Sequence, residues 1–296
     1  MPGWVRYTSS DDDNMRWERF RFREGDIVIS TRSKSGTTWV QMICALLIFG
    51  TPDLPAPLTR LSPWIDHSVE PVEDVIARVE AQRHRRFVKT HTPLDGLPLD
   101  SRATYVVVAR HPLDMAVSLY HQGDNLDRQR LAELTGVPYV PPTRPRPPLR
   151  EWLVAWAEQQ TRPAQHLDSL VGVLHHVGDA WTRAHQPGGE NVVLVHYADL
   201  LADLPGEMHR LAERLGIEVA DEAWPRLVEA ATFASMRARS AELTPNTLGV
   251  LKDGAAFFRS GRSGTGAELL TADELAAYEE RVASLVPPEV VRWLDR

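Results

Sequence analysis

A basic segment of small residues near the N-terminus has the composition of an anion-binding turn. It reads Arg32-Ser33-Lys34-Ser35-Gly36-Thr37-Thr38 and lies between the apolar run Ile27 to Ile29 and the apolar segment Trp39 to Phe49. A strand, a turn and a helix in this order aim backbone N–H groups and a helix N-terminus at one point, which favours a phosphate or sulfate. Lys34 adds a full charge. The same pattern also fits an ordinary strand-to-helix turn with a solvated lysine and a threonine cap.

The residue order in this turn differs from that of the loop that binds nucleoside triphosphates. That loop requires G-x-x-x-x-G-K-[ST], with the lysine after the glycine, whereas Lys34 precedes Gly36. An apolar strand ending in an acidic residue that could hold Mg²⁺ is also missing, since the strongest strand candidate, Tyr105 to Ala109, is followed by Arg110. The sequence therefore favours metal-free transfer of an anionic group over ATP hydrolysis, and no metal site is expected.

Polar side chains also follow the other predicted strands. His91 follows the run Arg86 to Lys89, Arg110 follows Tyr105 to Ala109, and Tyr197 ends the run Val192 to Tyr197. Strands separated by helices indicate an α/β fold, with a mainly parallel central sheet and helices on both faces. Ligands of such sheets bind outside the carboxyl ends of the strands. We therefore expect separate segments to bring these side chains to one edge of the sheet.

The chain is predicted to form one domain, residues 1–296. Residues 1–25 are polar with interspersed aromatic side chains and are expected to form an arm that packs onto the body. The segment 125–148 is too proline-rich for regular structure and is predicted to be a long loop, and 243–270 is predicted to be a glycine-rich loop. Residues 199–216 are predicted to form a helix that ends at its terminal glycine.

Composition excludes several other classes of function. The formal net charge of −7 argues against a nucleic-acid-binding protein. The single cysteine, Cys44, excludes an intramolecular disulfide and a multi-cysteine metal site. The longest apolar stretch, Met42 to Gly50, is far shorter than the ~20 residues that span a bilayer. With no secretory signal evident at the N-terminus, the expected location is the cytoplasm.

Five short motifs occur along residues 26–266. They are Lys34-Ser35-Gly36-Thr37-Thr38-Trp39, Lys89-Thr90-His91, Arg110-His111-Pro112-Leu113-Asp114-Met115-Ala116-Val117-Ser118, Tyr197-Ala198-Asp199-Leu200, and Phe257-Phe258-Arg259-Ser260-Gly261 with Gly264. In this order they resemble the P-K-S-G-T-T-W, K-T-H, R-N-P-K-D-x-x-V-S, Y-E-D-L and F-x-R-K-G-x-x-G elements of the cytosolic-type sulfotransferases. Each piece alone is a weak signal, but five in family order form a strong one.

The resemblance implies 3′-phosphoadenosine 5′-phosphosulfate (PAPS) as sulfuryl donor and a small-molecule acceptor with a hydroxyl or an amine. It implies that a P-loop-like loop of Lys34, Ser35, Gly36, Thr37 and Thr38 binds the 5′-phosphosulfate. The implied 3′-phosphate ligands are Arg110, Ser118, Arg259 and Gly261. Trp39 and Phe233 would flank the adenine, with Tyr197 and Thr232 as polar contacts. His91 would be the general base, with Lys34 stabilising the leaving oxygen and Lys89 the transferring group.

These residue types suit the chemistry. Sulfuryl transfer depends on in-line positioning and on stabilising the charge of the transferring and leaving oxygens. Fixed cations and N–H donors supply this without a metal, and a histidine can accept the acceptor's proton at neutral pH. Two other classes stay open. A nucleotide-dependent kinase would bind ATP and need Mg²⁺, and a non-catalytic protein that binds adenosine 3′,5′-bisphosphate would keep Arg110 without needing His91.

The motifs also depart from the family pattern. Arg32-Ser33 stands where Tyr-Pro is usual, His111 replaces asparagine, and Ser260 replaces lysine. These departures put the rigidity of the first loop and the tightness of 3′-phosphate binding in question. The acceptor is not readable from the motifs, although the aromatic residues Trp64, Tyr139 and Trp152 are candidates for an apolar acceptor pocket.

Overall fold

A four-stranded parallel sheet forms the centre of the protein in a computed structural model, which describes residues 3–246, 248–259 and 261–296. Its strands are β1 (Ile27–Thr31), β2 (Phe87–Thr90), β3 (Thr104–Ala109) and β4 (Val192–His196), in the order β2-β1-β3-β4. Every neighbouring pair of strands is parallel. The predicted α/β fold with a mainly parallel sheet is therefore confirmed.

Helices surround this sheet. They are α1 (Thr37–Phe49), α2 (Leu58–Leu61), α3 (Val72–Glu80), α4 (Pro112–Asn125), α5 (Arg128–Thr135), α6 (Leu149–Glu158), α7 (Leu170–Ala184), α8 (Tyr197–Ala202), α9 (Leu204–Leu215), α10 (Trp224–Ala231), α11 (Phe233–Ala238), α12 (Ser240–Leu243), α13 (Ala272–Leu285) and α14 (Pro288–Leu294). Short 3₁₀ helices span Asn14–Arg19, Leu94–Gly96, Asp221–Ala223, Ala255–Phe257 and Ala267–Leu269. Among the described helices, none has both the length and the apolarity needed to cross a bilayer.

Both faces of the sheet are covered, which explains why the strands read as continuous apolar runs. Successive strand residues point to opposite faces. Ile27 and Ile29 pack in the cluster formed with α1, α8, α9 and α10, whereas Val28 packs in the cluster formed with α3 and α7. Trp17, in the N-terminal arm, is 1% exposed and belongs to the second cluster.

Helix α5 contradicts the prediction that 125–148 is irregular throughout. The side chain of Asp127 accepts a hydrogen bond from the backbone N–H of Arg130, and Gly136 ends the helix in the left-handed conformation. The prolines of the segment all lie from Pro138 onward. The prediction was wrong because the composition was averaged over a segment whose first part carries its own helix caps.

The predicted helix 199–216 is two helices, α8 and α9, separated at Asp203. The Asp203 side chain accepts a hydrogen bond from the N–H of Gly206 and so caps α9, whose first turn contains Pro205. Proline is tolerated there because the N–H groups of the first turn have no partner inside a helix. Gly216 ends α9 with φ of 62°, as predicted.

Candidate active site

A cavity of about 370 Å³ lies at the carboxyl ends of the strands. The connection after β1 runs to β2 on one side, whereas the next strand, β3, lies on the other side of β1, so the strand order reverses at β1. Open parallel sheets bind ligands at such a switch point. Most of the predicted site residues line the cavity: Lys34, Gly36, Thr37, Thr38, Trp39, Lys89, His91, Arg110, Ser118, Tyr197, Phe233, Arg259 and Gly261.

Two predicted site residues, Ser35 and Thr232, are outside the cavity lining. Ser35 belongs to the first loop and is buried there, at 2% exposure. The hydroxyl of Thr232 accepts a hydrogen bond from the N–H of Ser235 and thereby caps α11. A capping hydroxyl satisfies a backbone donor that would otherwise lack a partner, so the structure gives the Thr232 side chain a local role.

The first loop turns sharply between β1 and α1. The N–H of Ser35 donates to the carbonyl of Arg32 at 3.2 Å, and Lys34 inside this turn has a φ of 64°. The left-handed conformation costs a non-glycine residue about 1–2 kcal/mol. Gly36 has φ of 104°, and a Cβ there would lie 2.9 Å from the Tyr197 ring. Only glycine therefore fits at position 36.

Lys34 lies among other cations. Its Nζ is 3.3 Å from Oε1 of Gln122 and 4.0 Å above the ring of Phe257. Desolvation, followed by the charges of Arg110, Lys89 and Arg259, lowers the pKa of Lys34 to about 7. No ion pair between Lys34 and a carboxylate exists in the described part of the chain. An anion in the cavity would relieve this repulsion.

Arg110 is the buried cation that follows β3, at 6% exposure. One Nη donates to the carbonyl of Arg262 at 2.7 Å, and the guanidinium lies 4.4 Å from the centre of the Tyr197 ring. Its Nε is buried and has no hydrogen-bond partner among the described residues. Buried donors are rarely left unpaired, and a bound phosphate is a natural partner for a guanidinium.

His91 is held in one tautomer. Its Nδ1 lies 2.6 Å from the carbonyl oxygen of Thr31. A carbonyl oxygen only accepts hydrogen bonds, so the proton of the neutral ring is on Nδ1 and the lone pair is on Nε2. Burial, then the charges of Lys89 and Arg32, holds the pKa of His91 well below its ordinary value. The ring is therefore neutral at pH 7 and offers Nε2 as a base.

Lys89 stands beside this histidine on β2. It is 6% exposed, and its Nζ lies 4.0 Å above the ring of Trp64. Desolvation lowers the pKa of Lys89 to about 8, although the carboxylates of Asp12 and Asp66 favour its charged form. Trp64 in turn meets the His91 ring edge to face, with 4.6 Å between ring centres. One indole thus contacts both groups.

Three aspartates hold the loops of the site, and the sequence analysis gave none of them a role. Asp66 accepts hydrogen bonds from the hydroxyls of Thr90 and Thr92, on both sides of His91. Asp114, in α4, accepts from the N–H groups of Gly264 and Gly266, at 2.7 and 2.9 Å. It therefore ties the glycine-rich loop to the helix that follows Arg110.

The third aspartate, Asp168, binds the unusual pair Arg32-Ser33. Nη2 of Arg32 donates to Oδ1 of Asp168 at 2.6 Å, and the hydroxyl of Ser33 donates to Oδ2 at 2.9 Å. Both carboxylate oxygens thus hold the start of the first loop. Asp114 lies inside the motif Arg110 to Ser118, which was a sequence signal for it, but no local pattern marks Asp66 or Asp168.

The other two departures from the family motifs are His111 and Ser260. His111 is outside the cavity lining, with Nε2 3.8 Å from a carboxylate oxygen of Asp295. Burial lowers the pKa of His111. Ser260 lies outside the described residues.

One part of the cavity lining, called the far side, consists of apolar side chains. It includes Leu126, Leu131, Met236, Leu243, Leu248, Val250 and Leu251. Two segments distant in sequence meet there, because Leu126 pairs with Leu251 and the N–H of Asp127 donates to the carbonyl of Val250 at 2.9 Å. Of the aromatic acceptor candidates, Trp64 lines the cavity, whereas Tyr139 and Trp152 do not.

Another part of the cavity lining, the polar rim, consists of polar side chains. Asp11, His67 and Glu70 line it. Nδ1 of His67 is 3.2 Å from a carboxylate oxygen of Asp12. The possible ligand atoms of Asp11, Asp12 and His67 lie within 4.8 Å of one another, although the sequence predicted no metal site. The His67 ring also stacks on Trp64 at 3.9 Å.

Comparisons with known proteins agree with this geometry. Residues 24–286 match the family model described as a sulfotransferase domain. The chain is 42% identical to a glycolipid sulfotransferase of Mycobacterium bovis, over 98% of this chain and 93% of that one. It is 27% identical to human sulfotransferase 2B1, over 87% of this chain and 65% of that one.

Solved structures share the fold. Mouse sulfotransferase SULT7A1 complexed with PAP superposes with a TM-score of 0.71 at 20% identity, covering 95% of this chain and 91% of that one. A retinol dehydratase in a complex with retinol and PAP gives a TM-score of 0.70 at 21% identity, covering 94% of this chain and 87% of that one.

Proposed function

The chain belongs to the sulfotransferase domain family, and from this premise we propose that it transfers the sulfuryl group of PAPS to a hydroxyl of an amphiphilic acceptor. One observation carries the proposal. Lys34, Arg110 and His91, from three different strand ends, line a single cavity. Two of these groups are cations that suit an anionic donor, and the third is a neutral base.

The donor side fits a molecule with two anionic ends. The unpaired Nε of Arg110 and the depressed pKa of Lys34 both mark positive charge that lacks a counter-ion. Lys34 to Thr38 would hold the 5′-phosphosulfate, while Arg110, Ser118, Arg259 and Gly261 would hold the 3′-phosphate. Trp39, Phe233 and Tyr197 would surround the adenine. Ser35 and Thr232 would act through their backbone, because Ser35 is buried outside the cavity lining and the Thr232 hydroxyl caps a helix.

The acid–base step is assigned to His91. When bound, PAPS supplies an activated sulfuryl group. Nε2 of His91 takes the proton from the acceptor hydroxyl, because Nδ1 already donates to Thr31. Lys34, once charged, stabilises the oxygen on the leaving side, and Lys89 stabilises the oxygens of the transferring group. Each cation is already in place, so little reorganisation is needed during the reaction.

A lipid-linked acceptor is supported by two observations. The relative at 42% identity is named a glycolipid sulfotransferase. The far side of the cavity is lined by apolar side chains such as Leu126, Leu131 and Leu251. Such a surface gains free energy by covering hydrocarbon, whereas the polar rim at Asp11 and Glu70 could receive a sugar's hydroxyl groups.

The test separates transfer from nucleotide binding. Calorimetry with adenosine 3′,5′-bisphosphate, ATP and ATP with Mg²⁺ should give binding for the bisphosphate and much weaker binding for ATP, with or without the metal. Incubation with radiolabelled PAPS and a panel of glycolipids, phenols and sterols should label an acceptor. Tight, Mg²⁺-dependent ATP binding would instead favour a kinase. Bisphosphate binding with no labelled acceptor across the panel would favour a non-catalytic binding protein.

A further inference from the structure

We propose that Asp168 is a positioning residue, which restrains the first loop through Arg32 and Ser33 in the way that a proline before Lys34 would otherwise do. The inference rests on the proposed function, because it concerns the loop that would hold the donor. Arg32 and Ser33, by which this loop departs from the family pattern, would be the residues through which Asp168 acts.

The contacts form a closed clamp. Arg32 is 5% exposed, and its Nη2 and the hydroxyl of Ser33 use one Asp168 oxygen each, at 2.6 and 2.9 Å. Two consecutive residues are thus bound by a single rigid carboxylate. Nη1 of Arg32 also donates to the backbone carbonyl of His91. The clamp therefore joins the donor loop to the segment that carries the base.

Asp168 is itself well anchored. Its backbone carbonyl accepts a hydrogen bond from the indole of Trp156 in α6, at 2.8 Å. The next residue, Ser169, caps α7 by accepting from the N–H of Gly172. A carboxylate close to a helix N-terminus is also favoured by the helix dipole. The restraint on the loop is therefore transmitted from two packed helices.

The loop needs such a restraint because of its backbone. Lys34 adopts a left-handed φ of 64°, in a turn closed by Ser35 N–H and the Arg32 carbonyl. A proline directly before Lys34 would limit the alternative conformations of the turn by fixing φ. Ser33 imposes no such limit. Hydrogen bonds to Asp168 can hold Ser33 and Arg32 in place instead, which keeps Lys34 at the cavity.

A purely electrostatic role of Asp168 and a positioning role predict opposite changes in donor affinity when its charge is removed. Asp168 lines the cavity, so removing its negative charge should tighten the binding of an anion if charge alone mattered. If the carboxylate acts by holding the loop, Asp168→Asn should weaken anion binding. The sign of the change in affinity therefore distinguishes a positioning role from a general effect of charge.

The clamp also predicts a signature at the base. The charged and titratable groups that face His91 are Lys89, Arg32 and His67. Asp168→Asn leaves Arg32 without its counter-ion, so the imidazole pKa should fall further. Arg32→Gln removes the positive charge, so that pKa should rise. Opposite shifts from the two variants would not follow from a merely structural defect.

The experiment compares Asp168→Asn and Arg32→Gln with the wild-type chain and with Glu207→Gln. The control breaks the Glu207–Arg210 ion pair on α9, away from the cavity. Calorimetry with adenosine 3′,5′-bisphosphate, imidazole titration by NMR in the ligand-free protein, the thermal midpoint, and kcat with PAPS and a labelled acceptor are measured for each. We expect about 10-fold weaker binding for Asp168→Asn, and a loss of kcat of up to roughly 10²-fold from misplacement. Glu207→Gln should behave as wild type.

A rescue variant tests the comparison with proline directly. Arg32→Tyr, Ser33→Pro and Asp168→Asn together install the usual family residues and remove the clamp. We expect bisphosphate affinity to return to within a few-fold of wild type, at a thermal midpoint above that of Asp168→Asn. Unchanged or tighter binding by Asp168→Asn, or a triple variant that binds as weakly as Asp168→Asn, would overturn the inference. If the wild-type chain transferred no sulfate, the proposed function would fail, while the NMR and thermal comparisons would still test the clamp.

Discussion

The two sides of the cavity are built in different ways. On the proposed donor side, His91 and Arg110 directly follow strands, and Lys34 lies in the turn after β1. The proposed acceptor side is formed by the short helices α5, α11 and α12 and by a loop segment whose Leu251 pairs with Leu126 after α4. Strand ends are held by the sheet, whereas loops tolerate changes in length and sequence. The proposed chemistry is therefore placed at the sheet, and the proposed acceptor recognition is placed on loops and short helices, which can vary.

The largest expected effect comes from removing the base on the donor side. His91→Ala should lower kcat by roughly 10² to 10⁴-fold, because the Nε2 positioned to take the acceptor's proton is lost. The affinity for adenosine 3′,5′-bisphosphate, measured by calorimetry, should stay nearly the same. His185→Ala, on an exposed histidine at the end of α7, is the control. Wild-type turnover by His91→Ala on a true acceptor would contradict the assignment.

Lys34→Ala should have the next largest effect. Loss of one donor that stabilises developing charge lowers kcat by roughly 10² to 10³-fold, which steady-state kinetics can measure. The matched control is Lys252→Ala, because Lys252 is an exposed lysine whose Nζ binds the backbone carbonyl of Asp124 near the acceptor side. If both lysine variants lost activity equally, the division between the two sides would not hold.

The affinity for the donor nucleotide should depend on pH through Lys34, a residue of the donor side. Lys34 has a pKa of about 7 in the ligand-free protein, below its ordinary value, so the charged form is lost as pH rises above 7. An anion binds the charged form, and affinity for adenosine 3′,5′-bisphosphate should fall by up to about 10-fold per pH unit above 7. Calorimetry across pH would show this. In Lys34→Arg, the part of this fall in affinity that is due to Lys34 should vanish, because arginine stays charged.

Leu131→Ala, on the acceptor side, should have the smallest effect. Less apolar surface would be available to the acceptor, so kcat/KM for a lipid-linked acceptor should fall by about 10-fold. The donor affinity should be unchanged. Leu285→Ala, on an exposed leucine of α13, controls for a general loss of hydrophobic surface. A comparable change in donor affinity for Leu131→Ala would show that the two sides are coupled.

The strands and the polar residues that follow them were predictable, because both signals are local. An apolar run such as Tyr105 to Ala109 is buried on both faces, and the residue after it must lie at the sheet edge. Helix α5 was missed because its caps, Asp127 and Gly136, were outweighed by the prolines that follow from Pro138 onward. The apolar part of the cavity lining was missed because Leu126 and Leu251 have no sequence pattern that links them.

The sequence by itself determined the parallel sheet, the anion-binding turn and the exclusion of the usual ATP loop, since these follow from hydrophobic runs and residue order. Only the tertiary structure decided how the turn is held. Ser33 and Asp168 are 135 residues apart, and Gly264 and Asp114 are 150 apart. A hydrogen bond between such partners depends on how helices pack, and no local spacing encodes it. Burial also decided the charge states, because desolvation lowers the pKa values of Lys34 and His91.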